Sequence, residues 1–209
     1  MSTGTVGVLL AGGLARRMGG GDKSLLELDG QRILDRVIAR AQPQVDALVL
    51  NANGEPERFR DFGLPVASDV IGEFAGPLAG ILTGMDWARR EVPAAEWLVS
   101  FATDAPFLPA DMVTRFHAAV AEQGAEIVCA TSQDRTHPVF ALWPLRLMDE
   151  LRAVMENEEM RKIDLWTARY RTAHVSFMVD ADGIDPFFNV NRPENLEEAS
   201  RLLGQTGAT

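Results

Sequence analysis

An α/β fold with a mostly parallel central sheet is predicted by three observations. Residues 6–11 (VGVLLA) and 97–103 (WLVSFAT) are continuous apolar runs, the mark of strands buried on both faces. Helical patterns stand between such runs, which implies βαβ units. A glycine-rich loop follows the first run directly.

The first run is the first strand. The pattern QRILDRVIARAQ predicts a helix over 31–42, ended by Pro43. Residues 46–51 (DALVLN) read as the second strand and 65–68 as a short third. A helix is predicted over 76–91 (GPLAGILTGMDWARRE), with Pro77 suited to its first turn. The fourth strand, 97–103, stops at Asp104. A helix over 110–122, a strand over 125–131, a turn at SQDR and a returning strand over 138–142 come next. Helices at 144–156 and 161–169, a strand at 173–179 and a helix from Pro193 complete the pattern, and GQTGAT reads as a frayed end. No internal repeat, low-complexity segment or linker interrupts it. The 209 residues, 46% hydrophobic, are therefore read as one domain with one sizeable core. In such sheets ligands bind at the carboxyl ends of the strands, where strand order reverses. That singles out 12–23, 51–54, 69–76, 104–109 and 132–137.

Charge and cysteine usage narrow the function classes. The net charge of −10 argues against a nucleic-acid or membrane-surface binder, which would carry a basic face. Cys129 is the only cysteine, so neither an intrachain disulfide nor a cysteine-based metal site is available. The start MSTGTVGVLLAGG lacks a basic leader, and no apolar stretch approaches the ~18 residues that span a bilayer. A cytoplasmic protein is expected.

The loop runs against the acidic trend. Residues 9–23 (LLAGGLARRMGGGDK) hold five glycines, with Arg16, Arg17 and Lys23 facing only Asp22. A Walker A loop would need a glycine immediately before Lys23, where Asp22 stands. A dinucleotide fingerprint would need GxGxxG, which Gly12, Gly13, Gly19, Gly20 and Gly21 do not spell. What remains is a loop whose glycines let backbone N–H groups approach phosphate oxygens, while Arg17 and Lys23 neutralise charge. Asp104, at the end of a central strand, would point into the crevice. There it suits Mg²⁺, which takes one or two carboxylates plus phosphate oxygens and water; a turn role beside Pro106 is the alternative.

Read in order, LAGGLARRMGGGDK, GPLAGI, TDAPFLP and NVNRPENL (189–196) resemble the molybdenum cofactor guanylyltransferases, within the Rossmann-like nucleotidyltransferases. The resemblance runs from residue 6 to about 203. It implies a three-layer fold, with a GTP-binding part over roughly 1–110 and a pterin-binding part over roughly 111–209. It implies transfer of GMP from GTP to molybdenum-loaded molybdopterin, with Mg²⁺ as cofactor and pyrophosphate as by-product. By position, Leu10, Ala11, Gly12 and Gly13 would contact the nucleotide through the backbone, and Lys23 its phosphates. Asn51 and Asp69 would contact the guanosine part, and Asp104 would hold the metal. Lys23, Asp104 and Arg17 form the catalytic set. The pterin would lie toward Arg135, His137, Asn189 and Asn191. His137 and Arg135 could equally serve the turn, and the two asparagines could cap the Pro193 helix. Transient contact with molybdoenzymes or other cofactor-assembly proteins is implied too. The alternatives are a molybdopterin cytidylyltransferase, or a non-catalytic nucleotide-binding regulator of a molybdoenzyme.

Overall fold

The computed structural model describes residues 4–11, 23–72, 76–179 and 183–206. Its strands are β1 (Gly4–Leu10), β2 (Glu27–Leu28), β3 (Gln31–Arg32), β4 (Ala47–Asn51), β5 (Val66–Ala67), β6 (Ala95–Ala102), β7 (Ile127–Ser132), β8 (Arg135–Pro144) and β9 (Thr172–Ser176). Its helices are α1 (Ile33–Ala41), α2 (Pro77–Glu91), α3 (Met112–Gln123), α4 (Met148–Asn157), α5 (Ile163–Thr167) and α6 (Pro193–Thr206). Seven strands form one sheet in the order β5-β4-β1-β6-β8-β7-β9, and β2 pairs with β3 as a separate hairpin. Within the seven, β8 alone runs against its neighbours.

The alternation of side chains along the strands builds three layers. Leu9 of β1 and Phe101 of β6 face one way, into a core with Ile33 and Val37 of α1, Phe116 of α3 and Ala199 of α6. Val6 and Val8 of β1 and Leu98 of β6 face the other way, onto Ile81 and Leu82 of α2, Leu151 of α4 and Trp166 of α5. Pro77 occupies the first turn of α2, and Gly76 before it takes φ +78, which glycine adopts without strain. Close approach of α2 to the sheet depends on two further glycines. A Cβ on Gly80 would collide with Asn51 Oδ1, and one on Gly84 would lie 2.8 Å from Val8 Cβ.

Most predicted elements are present, and the differences have local causes. The helix expected from 31 begins at Ile33 because Gln31 and Arg32 belong to a hairpin. Its turn, Asp29-Gly30, has positive φ at both residues, the two-residue geometry that Asp-Gly favours. The turn at SQDR is of the same kind, with Gln133 and Asp134 at φ 47 and 60. The returning strand is longer than 138–142 and sits inside the sheet between β6 and β7. Its pairing with β7 jumps from Ala130↔His137 to Cys129↔Ala141. Pro138, Val139 and Phe140 therefore bulge from the ladder, where a proline's missing N–H costs nothing. Helix 144–156 starts later, at Met148, because Pro144 still ends β8 and Leu145–Leu147 forms a 3₁₀ turn. Helix 161–169 is shortened to α5, and the strand expected over 173–179 is β9. No helix among the described residues is long and apolar enough to cross a membrane.

Candidate active site

Strand order places the site. β1 connects outward to β4 on one side and lies beside β6 on the other, so order reverses between β1 and β6. A cleft of about 560 Å³ opens at that point, along the carboxyl ends of the parallel strands. Because β8 runs the opposite way, its first residues reach the same edge.

The ends of β1, β4 and β6 are tied together. Ala11 N–H donates to the Asn51 carbonyl at 2.9 Å, and Thr103 Oγ1 donates to the Leu10 carbonyl at 3.1 Å. Leu10, Ala11, Ser24, Thr103 and the half-buried Asp104 line the cleft here. Lys23 opens the short turn Lys23–Leu25. Gly12, Gly13 and Arg17 lie outside the described residues.

On the β4 side, an amide–carboxylate frame forms. Asn51 is buried, and its Nδ2 donates to the Ala67 carbonyl at 3.2 Å and to Asp69 Oδ1 at 2.9 Å. Asn53 Nδ2 donates to Asp69 Oδ2 at 2.8 Å, and Asp69 N–H donates back to Asn53 Oδ1 at 2.9 Å. Both oxygens of the Asp69 carboxylate thus have a fixed partner. The segment is braced further on, where Val70 N–H donates to Thr83 Oγ1 on α2 at 3.1 Å. Gly76 and Pro77 bring the amino end of α2 to the same wall. Asn51 and Asp69 were expected here; Asn53 was not. The signal for it was its place two residues after a strand end, within the 51–54 stretch already singled out.

On the other side stand the bulged residues of β8, with Arg135, Thr136 and His137. His137 is buried and its Nε2 lies 2.7 Å from Ser132 Oγ. Ser132 Oγ donates to Asp185 Oδ1 at 2.8 Å, which uses its single proton. The imidazole must therefore donate its Nε2–H to Ser132. Its ring lies 4.7 Å from that of Phe187. Burial holds the imidazole below its ordinary pKa, partly offset by Asp185, while Arg135 adds to the lowering. Asp185 also accepts Phe187 N–H at 2.9 Å, and Val190 N–H donates to the Asp104 carbonyl at 2.8 Å. Between these tethers Asn189 lines the cleft, and its buried Oδ1 has no partner among the described residues. Asn191 is not part of this lining; its N–H donates to Asn195 Oδ1 at 3.3 Å, at the start of α6.

Two residues of the wrong kind for this site lie elsewhere. His117 meets Thr5 Oγ1 at 2.8 Å beside Trp97 at the opposite end of the sheet. Burial pushes the Cys129 thiol up to about 12, which makes it inert. Among the described residues no group of three or more His, Cys, Asp or Glu could hold a metal. Mg²⁺ suits a single such carboxylate, because it takes one or two together with phosphate oxygens and water.

Comparison with known proteins gives this arrangement a context. The model of the MobA-like NTP transferase domain matches residues 7–173. A molybdenum cofactor guanylyltransferase of Nitrobacter hamburgensis is 51% identical over 203 residues, covering 97% of this chain and 96% of that one. Among solved structures, the molybdopterin-guanine dinucleotide biosynthesis protein A of Archaeoglobus fulgidus superposes with a TM-score of 0.73 at 22% identity, covering 96% of this chain and 99% of that one. The Rv0371c protein of Mycobacterium tuberculosis, crystallised in complex with manganese, superposes at 0.66 and 18% identity, covering 95% and 99%. These two likenesses speak for the fold.

Proposed function

Since the chain belongs to the MobA-like NTP transferase family and is a nucleotidyltransferase of the molybdenum cofactor guanylyltransferase kind, we propose that it transfers GMP from GTP to molybdenum-loaded molybdopterin. The products are molybdopterin guanine dinucleotide and pyrophosphate. The observation that carries this reading is the two-sided cleft: Asp104 stands between an amide–carboxylate frame and a wall whose Asn189 acceptor has no partner among the described residues.

GTP takes the β1–β4 side, within the part spanning roughly 1–110. Asp69 accepts from the adjacent N1–H and amino donors of guanine, Leu10 and Ala11 lie against the nucleotide, and Asn51 shapes its guanosine pocket. The loop that follows Ala11, with Gly12, Gly13, Arg17 and Lys23, receives the phosphates. The acceptor takes the side built by Arg135, His137 and Asn189, within roughly 111–209, with Asn191 supporting from the start of α6. Asp104 is the residue that fits Mg²⁺: Asp69 is held by Asn51 and Asn53, whereas the carboxylate of Asp104 follows the central strand β6 at the cleft, where phosphate oxygens and water can share the ion with it. The ion, when bound, supplies charge neutralisation at the α-phosphate and the departing pyrophosphate.

The chain need not provide a general base. A terminal phosphate with a second pKa near 6 is already largely dianionic at neutral pH. Its oxygen attacks the α-phosphorus, the bond to the bridging oxygen breaks, and pyrophosphate leaves. The obstacle is repulsion between two polyanions, so positioning and neutralisation supply the acceleration. A cytoplasmic location and transient contact with molybdoenzymes or other cofactor-assembly proteins follow from such a role.

The test is a competition: equal GTP, CTP and ATP with molybdenum-loaded molybdopterin and Mg²⁺, products resolved by mass. The guanine dinucleotide is expected to dominate. A cytosine dinucleotide as the main product would overturn the guanylyl reading.

A further inference from the structure

Asn53 does more than shape a turn. We propose that it is a positioning residue that aims the Asp69 carboxylate at the donor edge of the guanine base; this rests on the guanylyl reading above. The two residues exchange hydrogen bonds in both directions, Asn53 Nδ2 to Asp69 Oδ2 at 2.8 Å and Asp69 N–H to Asn53 Oδ1 at 2.9 Å. With Asn51 donating to the other oxygen at 2.9 Å, the carboxylate plane cannot rotate without breaking a bond.

Asn53 is itself immobilised. Arg58 Nη2 donates to the Asn53 carbonyl at 2.6 Å, and the Arg58 guanidinium packs over Phe59, 4.5 Å from the ring centroid. Gly54, at φ +80, turns the chain away immediately afterwards. A base site gains selectivity when its polar groups are held where only the right base satisfies them. Each carboxylate oxygen accepts one amide donor and keeps a second lone pair. Guanine presents two adjacent donors to such an acceptor pair. Hypoxanthine keeps N1–H and lacks the amine, so the two bases differ by one of the bonds that the frame aims.

The experiment measures binding of GTP and of inosine triphosphate by titration calorimetry, in Mg²⁺ buffer, to the wild-type chain, Asn53→Ala and the isosteric Asn53→Asp. Wild type should prefer GTP. Both variants should lose about tenfold in GTP affinity, from a charge-assisted bond that is no longer aligned, and much less for inosine triphosphate. Turnover at saturating GTP should stay within about threefold, so the loss falls on KM. Equal weakening of both nucleotides, or an unchanged GTP-to-inosine preference in folded Asn53→Asp, overturns the proposal and leaves Asn53 a loop brace. A wild-type chain with no preference for GTP overturns instead the guanine reading on which the proposal stands, and is seen before any variant is compared.

Discussion

The two walls of the cleft satisfy their polar groups differently. On the β4 side, Asn51, Asn53 and Asp69 use one another, and the frame is complete without a ligand. On the β8 side, the chain from His137 through Ser132 to Asp185 is complete, yet the buried oxygen of the neighbouring Asn189 has no partner among the described residues. A buried acceptor left unbonded costs about 1–3 kcal/mol relative to a satisfied one. On the proposed reading, the first wall holds its acceptors in place for the base before it binds, while the second offers the molybdopterin substrate a buried acceptor that the described residues leave unused. Asp104 lies between them, and its carbonyl is the point where the segment carrying Asn189 is fastened.

The largest effect is expected where the walls meet. Asp104→Ala should lower guanylyl transfer by about a hundredfold or more, since the cation loses its protein carboxylate. Its melting temperature, measured on the same preparation, separates lost transfer from lost folding; the tether from Val190 N–H to the Asp104 carbonyl is kept in the variant. Near-normal turnover would show that the metal is held elsewhere.

The next substitution separates packing from site geometry. Gly80→Ala and Gly84→Ala both overpack α2 against the sheet and should each cost about 1–3 kcal/mol in denaturant unfolding. Only the first drives into Asn51, so only the first should also weaken GTP binding. Equal nucleotide affinity in the two variants would mean that the β4 wall tolerates movement of its frame.

The β8 wall is broken more gently. Ser132→Ala removes the hydroxyl between His137 and Asp185 and should cost about 1–3 kcal/mol of stability. It should raise the KM for the molybdopterin substrate while leaving GTP affinity unchanged. A rise in the GTP dissociation constant of similar size would erase the distinction between the walls.

The smallest effect is the pH dependence of folding. His137 and His117 are both held below the ordinary imidazole range, in each case mainly by burial. The folded state therefore prefers the neutral rings. Their contribution is fully present above the unfolded pKa of about 6.5 and is lost as pH falls below it toward the folded values. Melting temperatures measured from pH 7.5 to 5.5 should drop by a few degrees at most, and by less in His137→Gln. A flat profile would mean that neither ring is effectively desolvated.

The cleft was legible because post-strand residues are named by position alone. Asn51, Asp69, Asp104 and Arg135–His137 all follow or open elements whose period is plain in the sequence, and all reach the cleft. Asn53 is not legible in the same way, because an asparagine two residues after a strand, before a glycine, reads as a turn former. The Asp29-Gly30 hairpin was hidden by the strong helical period that starts just after it. The central place of β8 was not legible either, since its proline argues for an edge, and only the register jump at Ala130 and His137 shows how the ladder avoids it.

Local periodicity thus determined the alternation of strands and helices, the two-faced core and the set of strand ends at which chemistry could sit. Those follow from backbone geometry that repeats every 2 or 3.6 residues and needs no distant partner. Tertiary structure alone decided which ends meet. Asn53 finds Asp69, Ser132 finds Asp185, and Val190 reaches the Asp104 carbonyl only because the sheet adopts one strand order with β8 reversed inside it. Such contacts join residues far apart in the chain, so they depend on how whole elements pack, and no sequence window contains both partners.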